Sequence, residues 1–448
     1  MPASLCDPSP STSDARTLDL VFFITGNPGL IAYYHPFLAG VVQGFNGRDG
    51  GDLSDVSARP VVVVAGFSLG GFEVEDWTAA PLAGSGSERG QGARGVEEGE
   101  EQQRDREALR DLLFPDVAAS PSASQTAKQD SRSVQRIYSL AEQVELCYAR
   151  LENLLGRLRM QCDSLQGLSR SGPETLNSQE TTNTSTRNTD INLKVTLIGH
   201  SVGAYIALEL VRLRHEYRQQ ATAADSLPKL AKYSILSCIL LTPTIQDLHL
   251  SSSGRIASPL LAFLPFLPSL AQGLVQNVLV KFLSEAWFEV LVKRATGMQA
   301  ASHGLVATVA FLRSRRGVCQ ALEMAKCELR EIRKDSWGNE VWGIAAGDGA
   351  VVDQSNPSLF FWFARRDHWV ADVTREEILS TRGGTGFIEK DDKIGDDAGK
   401  DELDDGRNKS PRIRIDETDG LMHAWCLTQS DLVVRRVNGW LRELWDQD

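Results

Sequence analysis

Hydrophobic and polar positions fall into two alternating kinds of segment along this chain. The runs "LDLVFFITGNPG", "RPVVVVAGF", "NLKVTLIG", "YSILSCILLTPTI" and "SLFFWFARRD" are short, rich in β-branched and aromatic residues, and mostly without polar alternation. Such runs predict interior strands of a parallel sheet, buried on both faces. "PRIRID" predicts a last short strand. In "SVQRIYSLAEQVELCYARLENLLGRLRM", Val134, Ile137, Ala141, Val144, Tyr148, Leu151, Leu155 and Leu158 recur every three or four positions, which predicts one amphipathic helix. "AYIALELVRLRHEYR" and "DLVVRRVNGWLREL" predict two more. Strands alternating with helices make the expected class α/β, a mostly parallel sheet with helices on both faces.

One stretch stands outside this alternation. From Ile256 to Val280, "IASPLLAFLPFLPSLAQGLVQNVLV", 25 residues carry no formal charge, a length that could span a bilayer. Pro259, Pro265 and Pro268 interrupt it, and Gln272, Gln276 and Asn277 would be unpaired in hydrocarbon, so a simple transmembrane helix is disfavoured. The expectation is a set of short apolar helices that cap a site or lie in a lipid surface, with Leu261 and Leu264 as inserting residues. Lys281, Lys293, Arg294, Arg313, Arg315 and Arg316 follow, where cations meet anionic head groups.

Composition changes the picture in three places. The net charge is −12, but Glu389 to Asp405 holds nine acidic and three basic residues and so supplies half of it, which predicts a solvated loop. No basic patch interleaved with aromatics points to nucleic acid. Seven scattered cysteines, without CxxC or Cys/His clusters, favour neither disulfides nor zinc and fit a reducing compartment. The start, "MPASLCDPSPSTSDAR", lacks the basic-then-apolar order of a cleaved signal, so the expected location is on the cytosolic side. The domain reading is a disordered N-terminus over 1–17 and one domain over 18–448. Disordered inserts at 79–132, 164–190 and 381–410 interrupt that domain, and an apolar cap covers 255–316.

Two GxSxG patterns follow apolar runs: Gly199-His200-Ser201-Val202-Gly203 and Gly66-Phe67-Ser68-Leu69-Gly70. A serine nucleophile needs a sharp strand-to-helix turn, with glycines two before and two after because larger side chains clash. Ser201 has a strand before it and a long helix after it. Ser68 has the strand, but "GFEVEDWTAAP" is short, acidic and stopped by Pro81, which reads as a crossover loop. The acid and then the histidine follow the serine in α/β-hydrolases. Asp367 lies three residues past "LFFWFA", with Asp372 as close competitor and Asp353 worse placed, before the strand. His368 adjoins Asp367 in sequence and is poorly placed to bridge it to a serine, which leaves His423 in "DGLMHAWCL". The expected triad is Ser201, His423 and Asp367. For the oxyanion the expected donors are the Val202 amide and a second from "TGNPG", either Asn27 or Gly26, a segment whose structural reading is a tight turn. The chemistry calls for neither cofactor nor metal.

The segments "FFITGNPGLIAYYHPFL", "IYSLAEQVELCYARL", "VTLIGHSVGAYIALEL", "LLTPTIQDLHLSSSGR", "FWFARRDHWV" and "MHAWC" resemble, in this order, the motifs of the lipid droplet-associated hydrolases, a branch of the α/β-hydrolase superfamily. The resemblance runs from Leu18 to Leu444 and fails in the inserts. It implies an α/β-hydrolase fold and a serine hydrolase of carboxylic esters, neutral lipid or sterol esters, at lipid droplets and also at the endoplasmic reticulum. By motif it implies Ser201, Asp367 and His423 as the catalytic residues. The expected partners are a lipid ester and a droplet monolayer or membrane surface, met through 256–280 and the nearby basic residues; the oligomeric state is open. Two other functions fit the same residues: a protein that tethers or remodels droplets and keeps a residual triad, and a thioesterase or acyltransferase.

Overall fold

Among the described residues seven stretches form strands: β1 (Thr17–Ile24), β2 (Val61–Phe67), β3 (Asn192–His200), β4 (Tyr233–Leu241), β5 (Ser358–Ala364), β6 (Ile388–Asp391) and β7 (Ile413–Thr418). All of them join one sheet in the order β2-β1-β3-β4-β5-β7-β6, with every described pairing parallel. The computed structural model describes residues 17–46, 61–72, 136–169, 192–223, 233–342, 356–382, 388–391 and 413–446. The expected insert at 79–132 lies outside these residues, as do 170–190, 392–410 and Asp353.

Period-two alternation sorts the strand side chains onto two faces. Leu18, Leu20, Phe22 and Ile24 of β1 and Leu359, Phe361 and Phe363 of β5 enter one core, under α2 (Leu140–Ser169), α3 (Val202–Ala223) and the helices before β5. Val21, Phe23, Phe360 and Trp362 enter the other, under α1 (His35–Asn46) and the C-terminal helix (Ser430–Asp446). Both cores are apolar, and this double burial is why the strands read as continuous hydrophobic runs.

Several expected boundaries are corrected. β1 begins at Thr17, inside the N-terminal stretch expected to be disordered. The amphipathic helix begins at Leu140, with Ile137 ahead of it, and runs to Ser169, into the expected insert. Its start is set by a capping box: Ser139 Oγ accepts the Glu142 N–H at 3.3 Å, and Glu142 Oε2 accepts the Ser139 N–H at 2.8 Å. Ala141 is exposed, while polar Gln143 is buried. The 381–410 insert is also shorter than expected: Thr381 and Arg382 end a helix (Asp372–Arg382), and β6 lies within it as an edge strand. Charge density suggested only solvent there, yet an edge strand needs nothing more than main-chain pairing, and charged residues suit an edge.

Between β4 and β5 the chain leaves the sheet for a helical cap. Its parts are α4 (Ser252–Phe263), α5 (Leu267–Leu274) continued by a π-helical turn (Val275–Val280), α6 (Glu285–Thr296), α7 (His303–Arg313) and α8 (Gly317–Glu331). The cap therefore extends past the expected 255–316. Among the described residues no single helix is long and apolar enough to cross a membrane; Ser252–Phe263 and Leu267–Val280 are together long and apolar enough but meet at 95°. The break falls at residues 264–266, where Pro265 stands, and Pro268 follows in the first turn of α5, whereas Pro259 sits inside α4 without ending it. The two glutamines are not orphaned. Gln272 Nε2 donates to the Ser314 carbonyl at 3.2 Å and its Oε1 accepts the Cys319 N–H at 3.1 Å, while Gln276 Nε2 donates to Ser314 C=O at 2.8 Å. They fasten the apolar helices to the α7–α8 junction.

The start of α3 passes so close to β1 that a Cβ on Gly203 would lie 2.3 Å from the Ile24 carbonyl oxygen. Since main chain cannot yield as a side chain can, Gly203→Ala is expected to destabilise the protein by about 3 kcal/mol or more, read by thermal or urea unfolding.

Candidate active site

In a parallel sheet every strand ends on the same edge, and the loops after β1, β3, β5 and β7 meet there. β3 lies beside β1, where the strand order reverses direction, a position at which α/β sheets open a crevice. At the end of β3 the chain turns directly into α3. Ser201 occupies the turn at φ 53°, in the left-handed region that a non-glycine residue adopts only when its surroundings impose it. Gly199 makes the turn possible, because a Cβ there would lie 2.4 Å from the Gly203 carbonyl oxygen. The Ser201 N–H donates to Leu241 C=O at 3.0 Å, and its own carbonyl accepts from Ala204 N–H at 2.9 Å.

The loop after β7 brings His423 to this serine. His423 Nε2 lies 2.9 Å from Ser201 Oγ, and His423 Nδ1 lies 2.8 Å from Asp367 Oδ2. With Nδ1–H donated to the carboxylate, Nε2 is left as acceptor for the serine hydroxyl. The Asp367 carboxyl is almost wholly buried. Burial by itself would raise its pKa, but the hydrogen bond and charge of His423, with the main-chain N–H groups of Trp369 and Val370, outweigh it and hold the group below its ordinary value. It is thus ionised where the imidazole needs a partner.

Each loop is pinned. Arg375, on the helix after the Asp367 loop, donates to the Arg365 carbonyl at 2.7 Å and stands 3.2 Å from Glu417 of β7. The His368 carbonyl accepts the Ser253 N–H at 2.9 Å, which ties the first cap helix to the same loop. In the His423 loop, Gln429 accepts the Met422 N–H and donates to the Gly420 carbonyl, both at 2.8 Å. Trp425, fully buried, packs edge-on against Tyr34, Phe37 and His200.

The competing residues lie elsewhere. Asp372 faces solvent and pairs with Arg375 at 2.9 Å. The Ser68 hydroxyl accepts the Ile31 N–H at 3.1 Å, and the adjacent Gly70 exchanges two 2.8 Å hydrogen bonds with Gln143, so this GxSxG is a crossover loop held by the long helix.

The oxyanion candidates separate. Val202 is the first residue of α3, and its N–H has no acceptor within the helix. The loop after β1 runs against the serine, since a Cβ on Gly26 would be 3.1 Å from Ser201 Cβ. Gly26 is corrected as a donor: its N–H is already given to Tyr34 Oη at 3.1 Å. The Asn27 N–H takes no protein acceptor among the described residues and is the remaining candidate.

Tyr34 and His200, unassigned by sequence reasoning, connect these loops. Tyr34 Oη lies 2.6 Å from His200 Nδ1, and His200 Nε2 lies 2.8 Å from the His423 carbonyl. Because the carbonyl can only accept, Nε2 carries the proton and Nδ1 accepts from the tyrosine. Burial, with the nearby His423, pushes the His200 pKa down to about 3, so the ring stays neutral. Both residues stand in motifs visible in the sequence, but nothing in their spacing pairs them.

The sequence model described as lipid-droplet associated hydrolase matches residues 176–426, more than half the chain. The chain belongs to the lipid-droplet associated hydrolase family. A curated relative, the lipid droplet-associated hydrolase of Gallus gallus, is 25% identical over 259 residues. That alignment spans 57% of this chain and 61% of the relative's length. Solved structures with similarity include a peroxisomal α/β-hydrolase of Saccharomyces cerevisiae, 11% identical with TM-score 0.43, covering 96% of this chain and 78% of that one. A thermophilic esterase of Thermogutta terrifontis is 9% identical with TM-score 0.38, covering 96% and 91%. The parallel sheet, the direct turn from β3 into α3 at Ser201 and membership of this family make the fold that of the α/β-hydrolases.

His200 also carries a stability consequence. Unfolded, it binds a proton near its ordinary value of 6.5; folded, it does so only near 3, so the unfolded chain holds more protons between these values. Its contribution is complete above pH 6.5 and fades as pH falls toward 3, by an amount on the order of a few kcal/mol. His200→Gln is expected to flatten the acid side of the stability profile, measured by urea unfolding from pH 4 to 7.

Proposed function

We propose that this protein is a serine hydrolase of the carboxylic esters of lipids, neutral lipid or sterol esters, working at a lipid droplet surface. The observation that carries the reading is the continuous contact from Ser201 Oγ through His423 to Asp367, at 2.9 and 2.8 Å. Ser201 Oγ attacks the ester carbonyl while its proton passes to His423 Nε2, and Asp367 stabilises the imidazolium. The amides of Val202 and Asn27 receive the oxyanion. Collapse expels the alcohol, which takes the proton from His423. A water, deprotonated by the same imidazole, then releases the acid and restores Ser201.

The cap supports a lipid surface as the place of work. Phe263, Phe282 and Trp287 are 82%, 74% and 68% exposed, and Ile256, Phe266, Leu270 and Leu274 are exposed with them. So large an apolar surface is unusual on a protein that meets only water. Lys281 lies in the same segment, with its ammonium 5.9 Å from the Phe282 ring centre. Arg313 is engaged with Glu285 at 2.9 Å, which leaves Lys293 and Arg294, on the last turn of α6, as better placed to meet anionic head groups. Leu261, expected to insert, is 4% exposed and packs into the core, so the inserting residues are the phenylalanines. An endoplasmic reticulum membrane would offer the same chemistry to this surface.

A fluorophosphonate probe is expected to label the wild type, and Ser201→Ala to abolish both labelling and ester hydrolysis; equal labelling of the two would refute the nucleophile. Asp367→Asn is expected to lower kcat by about 10⁴-fold if the carboxylate sets the tautomer. Phe263→Glu with Phe282→Glu is expected to reduce flotation with artificial droplets, each charge costing a few kcal/mol in lipid, while a soluble ester is still cleaved. If Ser201→Ala restored droplet morphology in cells as well as wild type, a tethering role would replace the hydrolytic one. Acyl transfer to an added alcohol or thiol in preference to water would move the assignment to a transferase.

A further inference from the structure

The second oxyanion donor sits on a residue whose side chain is held from outside its own loop. Asn27 Nδ2 donates to Ala321 C=O and to Glu328 Oε1, each at 2.9 Å. Ala321 and Glu328 are both on α8, seven residues apart, and so lie on one face two turns apart. α8 belongs to the cap and is also where Gln272 fastens the apolar helices, through the Cys319 N–H.

Packing alone does not account for Glu328. It is buried near Met324 and Leu329, where an isosteric apolar residue would avoid the cost of desolvating a carboxyl. Burial pushes its pKa up to about 8 against the opposing pull of the Asn27 amide, so at neutral pH the side chain is a neutral acid whose carbonyl oxygen accepts from Asn27. The amide it holds is joined, through Cβ and Cα, to the main-chain N–H that directly follows Gly26, the residue that packs against Ser201. The preceding N–H, that of Gly26, is spent on Tyr34.

We propose that Glu328 is a positioning residue: by clamping the Asn27 side chain to the cap, it aims the Asn27 main-chain N–H at the oxyanion formed over Ser201. This rests on the reading of Ser201 as the nucleophile. An oxyanion donor acts only when it is aimed at the position the charge will occupy, so losing the clamp weakens transition-state binding far more than substrate binding.

The test uses the purified full chain, a water-soluble short-chain p-nitrophenyl ester, and an alkyl boronic acid, which forms a tetrahedral adduct with a serine hydroxyl. Glu328→Leu is expected to lower kcat by about 10- to 100-fold with KM within about twofold, and to weaken boronate binding by a similar factor. Glu328→Gln keeps the carbonyl acceptor and should recover most of that loss. Asn27→Ala is expected to match Glu328→Leu, and the double variant to be no worse than either alone. Unchanged kcat in Glu328→Leu, or a lower kcat with undiminished boronate affinity, would overturn the proposal. If Glu328→Leu fails to fold by circular dichroism, Asn27→Ala decides alone, since it leaves α8 intact, and unchanged boronate affinity there overturns it too. A wild type that neither cleaves the ester nor reacts with a fluorophosphonate would instead remove the hydrolase reading itself.

Discussion

The arrangement depends on one steric constraint, the passage from β3 into α3 with no intervening loop. Ser201 is held at positive φ because its N–H is bound to Leu241 and its carbonyl to the next turn of helix. Gly199 and Gly203 remove the atoms that would collide with α3 and with β1. The result is a hydroxyl projected from the sheet edge beside the first free N–H of a helix. A residue with more freedom there would lose both the fixed position of the hydroxyl and its proximity to that N–H.

Around this turn, the polar groups close on one another and leave few alternatives. Gly26 N–H, Tyr34, His200 and the His423 carbonyl form a chain in which each group has one possible role, given a neutral imidazole. It joins the loop after β1 to the loop after β7 across the serine. Buried networks of this kind specify a single geometry, because any partial arrangement leaves a desolvated donor or acceptor. Asn27 plays the matching part toward the cap, so the site is braced from the sheet on one side and from α8 on the other.

The cap has two opposed requirements. Its outward surface is apolar and exposed, which would favour collapse or aggregation if the helices were loose. Beside the apolar packing of Leu261 into the core, its inward attachments include polar, directional ones: Gln272 and Gln276 onto the α7–α8 junction, and α4 onto the His368 carbonyl. Hydrogen bonds fix orientation where hydrophobic contact alone would let these helices slide. The glutamines that argue against a membrane span in the sequence are the residues that fasten its second half to the α7–α8 junction.

Much of this was present in the chain alone, and the reason is locality. Strand runs, the GxSxG turn at Ser201, and the serine-acid-histidine order are properties of neighbours in sequence, and they led to Ser201, Asp367 and His423. The edge strand Ile388–Asp391 was not legible, because its stability comes from pairing with β7 rather than from its own residues. Choosing between Gly26 and Asn27 required knowing that Tyr34 takes the Gly26 N–H, and Glu328 lies 301 residues from the asparagine it holds. Such contacts leave no period or motif in the sequence. They arise when parallel strands deliver distant loops to one edge, where burial rather than sequence spacing decides which polar groups must find each other.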